Sequence, residues 1–209
     1  MGWLFNMDSS FGKADLVREL TSPGYWGPCL QILKHSLVGN HLWCAAERTK
    51  EDGSRERFIA LFLLRSGGPR GGWGYKVLTE SMGPAAVDCP LSFFDLVPPL
   101  EGEEVPEYAR DWREKVRAYH AEKAARRKRC AEAVPGLVVS FDGHDYKLIE
   151  PILSLRWSGE GKERRRTGSW IVRRISDGMR FKMSAAVLGA ALAAPPSPPA
   201  PNTAGGGLW

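Results

Sequence analysis

The chain has no long apolar run. Its most hydrophobic stretch, FIALFLL from Phe58 to Leu64, falls far short of the roughly 18 residues a membrane helix requires, so no span is expected. The opening MGWLFNMDSS has neither a basic leader nor a small-residue cleavage site, and Asn6 stands where a myristoylation signal calls for Ser or Thr. A cytoplasmic location is therefore expected. Cys29, Cys44, Cys89 and Cys130 form no CxxC pair, which excludes a local zinc ribbon or redox dithiol and leaves reduced, buried thiols. His35, His41, His120 and His144 stand apart from one another and from ligand-spaced thiols or carboxylates. Only His35 and His41 could converge, across a hairpin, and two ligands do not make a site. No metal and no cofactor is expected. Walker, Rossmann and nucleophile-elbow patterns are also missing. GGPRGGWG at 67–74 lacks a following Lys-Ser or Lys-Thr and leads into a strand rather than a helix.

What is present is enough to build a core: 209 residues, 43% hydrophobic and 10% aromatic, suit one large domain or two small ones. The net charge of +5 is unevenly spread. Residues 1–106 hold 10 Lys and Arg against 13 Asp and Glu, residues 107–134 hold 9 against 5, and residues 135–194 hold 10 against 6. A basic C-terminal half on a mildly acidic N-terminal half points to an anionic partner for one end.

SSFGKADLVRELTSPG reads as a short helix, capped by Ser9 or Ser10, with Leu16, Val17 and Leu20 on one side and Pro23-Gly24 as its stop. CLQILKHSLVG, NHLWCAAERTKE, RERFIALFLLRSGG and WGYKVLTE follow as strands separated by turn signals. Leu42, Cys44 and Ala46 alternate with Trp43, Ala45 and Glu47, the period of a half-buried strand. Three or four antiparallel strands under one helix are expected. A Pro- and acid-rich exit, with a turn or two of helix at LSFFDLV, precedes a long helix. Its apolar stripe is Tyr108, Trp112, Val116 and Tyr119, and beyond Tyr119 the helix should be solvated and basic. DG at 142–143 and 177–178 punctuates a set of about five short strands, with GEGKERRRTGS as a long hairpin loop and a helix near 185–192. A small SH3-like barrel fits this spacing, and an OB-type barrel, usually longer, ranks second. The fold class is α+β: residues 1–106 an antiparallel sheet domain with a Pro-rich exit, 107–134 a long basic helix, 135–193 the barrel with its helix, and 194–209 a disordered Pro- and Gly-rich tail.

Two chemistries compete for attention. A cysteine nucleophile at Cys89 would need a base, for which His41 is the candidate from the same domain, and Glu80 and Asp88 could serve as acid and base if folded together. The plainer reading is that these residues cap and tie down a connector, and no catalytic residue is assigned. A nucleic-acid surface needs Lys and Arg gathered on one face to displace condensed counterions. Three clusters supply them: Arg126, Arg127, Lys128 and Arg129 on the helix; Lys162, Arg164, Arg165 and Arg166 in the loop; and Arg173, Arg174, Arg180 and Lys182 on the strands after it. Met179, Phe181 and Met183 alternate with Arg180 and Lys182, which puts those two cations on one outer surface. Trp157 and Trp170 flank the loop and could stack on bases or hold a partner.

The words MGWLF, ADLVREL, GWGYK, ESMGP and DCP carry Trp73, Tyr75, Lys76, Glu80, Ser81, Met82, Asp88 and Cys89. Over roughly residues 1–120 they resemble an uncharacterised domain family of bacterial plasmids, integrative elements and phages. WIVRRISDGMRF resembles a module appended in some members. That family has no established activity, so the resemblance implies a genetic setting and no site residue. The expected function is a non-enzymatic accessory protein of a mobile element whose basic half contacts nucleic acid or a host nucleic-acid-processing protein complex, with no membrane partner. The alternatives are a protein-binding inhibitor of a host defence system, of the anti-restriction or anti-CRISPR type, and a small enzyme using Glu80, Asp88 and Cys89.

Overall fold

A computed structural model of the chain describes residues 2–6, 8–27, 30–67, 71–102, 105–158 and 161–193, with the backbone alone at 156–158 and 161. The chain divides into two compact units, Met1–His120 and Ala121–Trp209.

The first unit contains β1 (Leu4–Asn6), α1 (Lys13–Leu20), α2 (Pro23–Trp26), β2 (Leu30–Val38), β3 (His41–Thr49), β4 (Arg55–Ser66) and β5 (Trp73–Thr79). Two 3-10 turns, Glu80–Met82 and Leu91–Phe93, follow, then α3 (Glu107–Arg110) and the start of α4 (Trp112–Glu132). All pairings in its five-stranded sheet are antiparallel, in the order β1-β5-β4-β3-β2. The expected meander is present, extended by β1, which adds a fifth strand beside β5.

Both faces of this sheet are covered. Leu42, Cys44, Ala60 and Phe62 pack under Leu16 and Leu20 of α1, while Trp43, Ala45, Ile59 and Leu61 pack under Cys89, Phe93, Val97, Trp112 and Val116. β3 is therefore buried on both sides from Leu42 to Glu47, where alternation alone predicts a half-buried strand. The continuous apolar run of β4 has the same origin: a central strand between two covered faces needs apolar side chains on each. Full burial of each Leu, Ile or Phe side chain is worth about 1.5–3 kcal/mol.

Two local expectations are corrected. α1 is capped at Gly12, whose N–H donates to the Asp15 carboxylate at 2.9 Å, while the hydroxyl and N–H of Ser10 are taken by Asp8. Tyr108 is 55% exposed and Ala109 is buried in its place, while Trp112 and Val116 are buried as the stripe requires.

The second unit holds the rest of α4, β6 (Val138–Phe141), β7 (His144–Ser158), β8 (Gly161–Arg174), β9 (Arg180–Met183) and α5 (Ala185–Ala191). Its strands form one antiparallel sheet, β6-β7-β8-β9, and among the described residues they do not close into a barrel. Asp142-Gly143 joins β6 to β7 with both residues at positive φ, 52° and 72°, the conformation a two-residue hairpin turn demands. The larger difference lies at GEGKERRRTGS. From Gly161 onward it is strand, paired residue by residue with β7 as far as Arg166. The core gathers Cys130 of α4 and Ala133, just past the end of that helix, with Val139, Leu148, Trp170, Val172, Met183 and Leu188. The second half of α4 is thus packed through small residues rather than wholly solvated. Residues 194–209, read from sequence as a disordered tail, lie outside the described residues.

Candidate nucleic-acid interface

The connector of the first unit is occupied with structural work. The Glu80 carboxylate is buried and bound by Arg113, whose Nη2 donates to Glu80 Oε2 at 2.9 Å and whose guanidinium also reaches the carbonyls of Val97 and Pro98 at 2.9 and 2.8 Å. Asp88 accepts from Nδ1 of His41 at 2.9 Å and from Nε1 of Trp43 at 3.2 Å. Trp112 Nε1 donates to the Ala86 carbonyl at 2.9 Å, and His120 Nε2 to the Cys89 carbonyl at 2.8 Å. Cys89 is fully buried, and burial, reinforced by the charges of Glu80 and Asp88, pushes its thiol far above the ordinary range. A thiol that does not ionise is no nucleophile. Glu80 is spent on an arginine, so the three residues compose a clasp rather than an acid–base–nucleophile set. Ser81 makes a hydroxyl contact with Thr79 at 2.8 Å, Tyr75 meets Tyr25 through its hydroxyl, the Lys13 ammonium lies over the Trp73 ring, and Met82 is exposed. Lys76 pairs with Leu63 in the sheet. His35 and His41 sit on opposite faces, because His35 pairs with Cys44 and His41 with Val38.

Burial also raises the thiol of Cys44, to about 12, and that of Cys130. Cys44 and Cys89 are expected to label with a thiol reagent at pH 8 at least about a hundredfold more slowly in the native protein than in urea, as read by peptide mass.

In the second unit the cations converge. Lys123, Arg126, Arg127, Cys130 and Ala131 follow the i, i+3, i+4, i+7, i+8 spacing that places residues on one helix face. That face forms one wall of a cleft of about 810 Å³. Arg165, Arg166, Thr167 and Gly168 of β8 form another, Ala185 and Ala186 of α5 close an end, and the cleft has five cationic side chains and no carboxylate in its lining. Among the described residues, Arg126, Arg127, Arg165 and Arg166 have no acidic partner.

The helix–helix contact sets one of these cations. A Cβ on Gly189 of α5 would stand 2.2 Å from Cγ of Arg126, so the arginine stem lies directly on the glycine. Alanine at an open helix position gains about 1 kcal/mol over glycine. Gly189→Ala is instead expected to destabilise the second unit by about 1–3 kcal/mol, through overpacking, and to turn Arg126 out of the cleft. A thermal melt measures the first effect and ligand affinity the second.

The remaining sequence-selected cations go elsewhere. Lys128 is exposed off the cleft face, and Arg129 pairs with Glu122 at 2.7 Å, leaving its Nε buried without an acceptor. Arg174 is bound to Asp177, whose carboxyl it holds down to about 2, and lies over the Phe181 ring. Arg173 and Arg180 are cross-strand partners on the outer sheet face with Lys182, where Lys147, also opposite Arg173, extends the row. Lys162 and Arg164 lie on the β8 end of the hairpin. Trp170 is 1% exposed and belongs to the core, which leaves no ring face for stacking. The side chain of Trp157 lies outside the described residues.

Sequence reasoning passed over Lys123, Thr167 and Gly189. Lys123 could have been found from its i+3 and i+4 relation to Arg126 and Arg127; the other two carry no local signal. No family model, curated protein or solved structure matches the chain.

Proposed function

We propose that the protein is a non-enzymatic factor that binds nucleic acid through its phosphate backbone, using the cleft of the second unit. The observation that carries this reading is the cluster of cations in a lining without a carboxylate. Mutual repulsion among them is relieved by no acid in that lining, whereas a run of phosphates supplies the missing charge and releases its own counterions. Residues 121–209 hold 15 Lys and Arg against 8 Asp and Glu, so the surrounding field has the same sign. Backbone contacts position a protein without reading sequence. A setting in a mobile element, expected from the words MGWLF, GWGYK, ESMGP and DCP, is part of the same proposal.

Adding DNA or RNA at about a hundred times its dissociation constant is expected to stabilise the second unit by about 2.7 kcal/mol, measured as protection of the amides of Leu148 and Val172 from hydrogen exchange. Unchanged protection, with no binding to either polymer, removes the proposal. A second reading, a protein-contact inhibitor of a host defence complex, is favoured by Leu4 and Phe5 on the edge strand β1 and Trp3 just before it, all exposed. A stoichiometric protein partner that survives nuclease treatment and is lost with Phe5→Ser supports it. No helix among the described residues is long and apolar enough to cross a membrane.

A further inference from the structure

β7 and β8 run far beyond their neighbours. β6 pairs with β7 only at 144–147, and β9 pairs with β8 only at 170–173. From Leu153 to Ser158, paired with Arg166 back to Gly161, six rows form a ribbon with no third strand among the described residues. A bulge marks its root: Thr167, Gly168 and Ser169 stand opposite Ile152, and the Thr167 hydroxyl donates to the Ile152 carbonyl at 2.9 Å. Bulges of this kind re-aim a strand.

Residues paired across antiparallel strands share a face. Leu153 with Arg166 and Leu155 with Arg164 therefore occupy one face, and Ser154 with Arg165 the other. Leu153 is 46% exposed and Leu155 67%. A two-stranded ribbon with bare leucines is marginal on its own, which calls for a partner that meets apolar groups and cations in alternation.

We infer that this ribbon enters the major groove of duplex DNA while the cleft at its root holds the adjacent phosphates. The inference rests on the phosphate-binding reading of the cleft. A major groove about 12 Å wide admits a two-stranded ribbon, and it presents both guanine acceptors for arginine and thymine methyl groups for apolar side chains. Six rows at about 3.4 Å give a ribbon about 20 Å long, enough to follow several base pairs. The narrow major groove of an RNA duplex does not admit it. A single strand offers the ribbon no groove to enter. A second copy of the ribbon is opposed by charge, since residues 153–166 hold five Lys and Arg against two Glu.

The test compares three probes of equal length at one salt concentration: duplex DNA, duplex RNA and single-stranded DNA. Duplex DNA is expected to bind at least tenfold more tightly than the other two, with dimethyl sulfate protection at guanine N7 in the major groove and none at adenine N3 in the minor groove. Leu155→Ser with Arg164→Ser, both at exposed positions, should abolish that preference and the N7 protection while leaving single-stranded affinity within about twofold. Arg164→Lys should lose only part of it. Equal affinity for all three probes, or protection at N3 alone, overturns the inference and leaves the cleft reading standing. Loss of binding to every probe in wild-type protein removes both.

Discussion

Replacing Arg113 by methionine is expected to cost the first unit about 3–5 kcal/mol, because it leaves the Glu80 carboxylate buried with no cation. The pair is enclosed on every side: Phe94 lies under the guanidinium at 4.7 Å, and the Val97 and Pro98 carbonyls accept two further bonds. In residue-resolved hydrogen exchange the amides of Trp43 and Leu61, central in the sheet, should lose protection by about two to four powers of ten. Substituting both residues by apolar groups of similar volume should recover most of the loss, because a buried ion pair contributes little net stability once its desolvation is counted. If the single variant costs under about 1 kcal/mol, the clasp does not hold the connector.

Reversing two cleft charges, Arg126→Glu with Arg127→Glu, should weaken binding to every nucleic-acid sequence alike. Observed affinity on duplex DNA varies with salt to a power of about 0.9 per phosphate contact, so at about 0.15 M each contact is worth about fivefold. Losing two costs about thirtyfold, and the introduced negative charge adds to that. Arg127 is exposed, and only the stem of Arg126 is packed, against Gly189, so the fold should survive, as its melting temperature will report. A variant that weakens some sequences and spares others would mean that these arginines touch bases rather than phosphates.

The strands of the first sheet were legible because Gly39-Asn40 and Asp52-Gly53 punctuate them and each run is apolar enough to declare itself. The covering of both faces was not, since the residues that close the second face, Phe93, Val97 and Trp112, come from distant parts of the chain. In the second unit charge was visible and geometry was not. Lys162 to Arg166 look like a solvated loop by composition, yet they are strand because β7 supplies the partner, and no local propensity encodes that pairing. The same holds for α4, whose basic half seemed free of packing because Cys130 and the stem of Arg126 are small or amphipathic contacts. Of the candidate site, the arginines were found and their meeting place was not.

One titration decides whether the cleft is a phosphate site: the logarithm of affinity for a duplex of arbitrary sequence against the logarithm of salt, from about 50 to 200 mM. Four arginines in contact with phosphates give a slope near about −3.6, falling to about −1.8 in the Arg126→Glu, Arg127→Glu variant. A wild-type slope shallower than about −1.8, or one unmoved by the double reversal, would place any nucleic-acid contact outside the cleft.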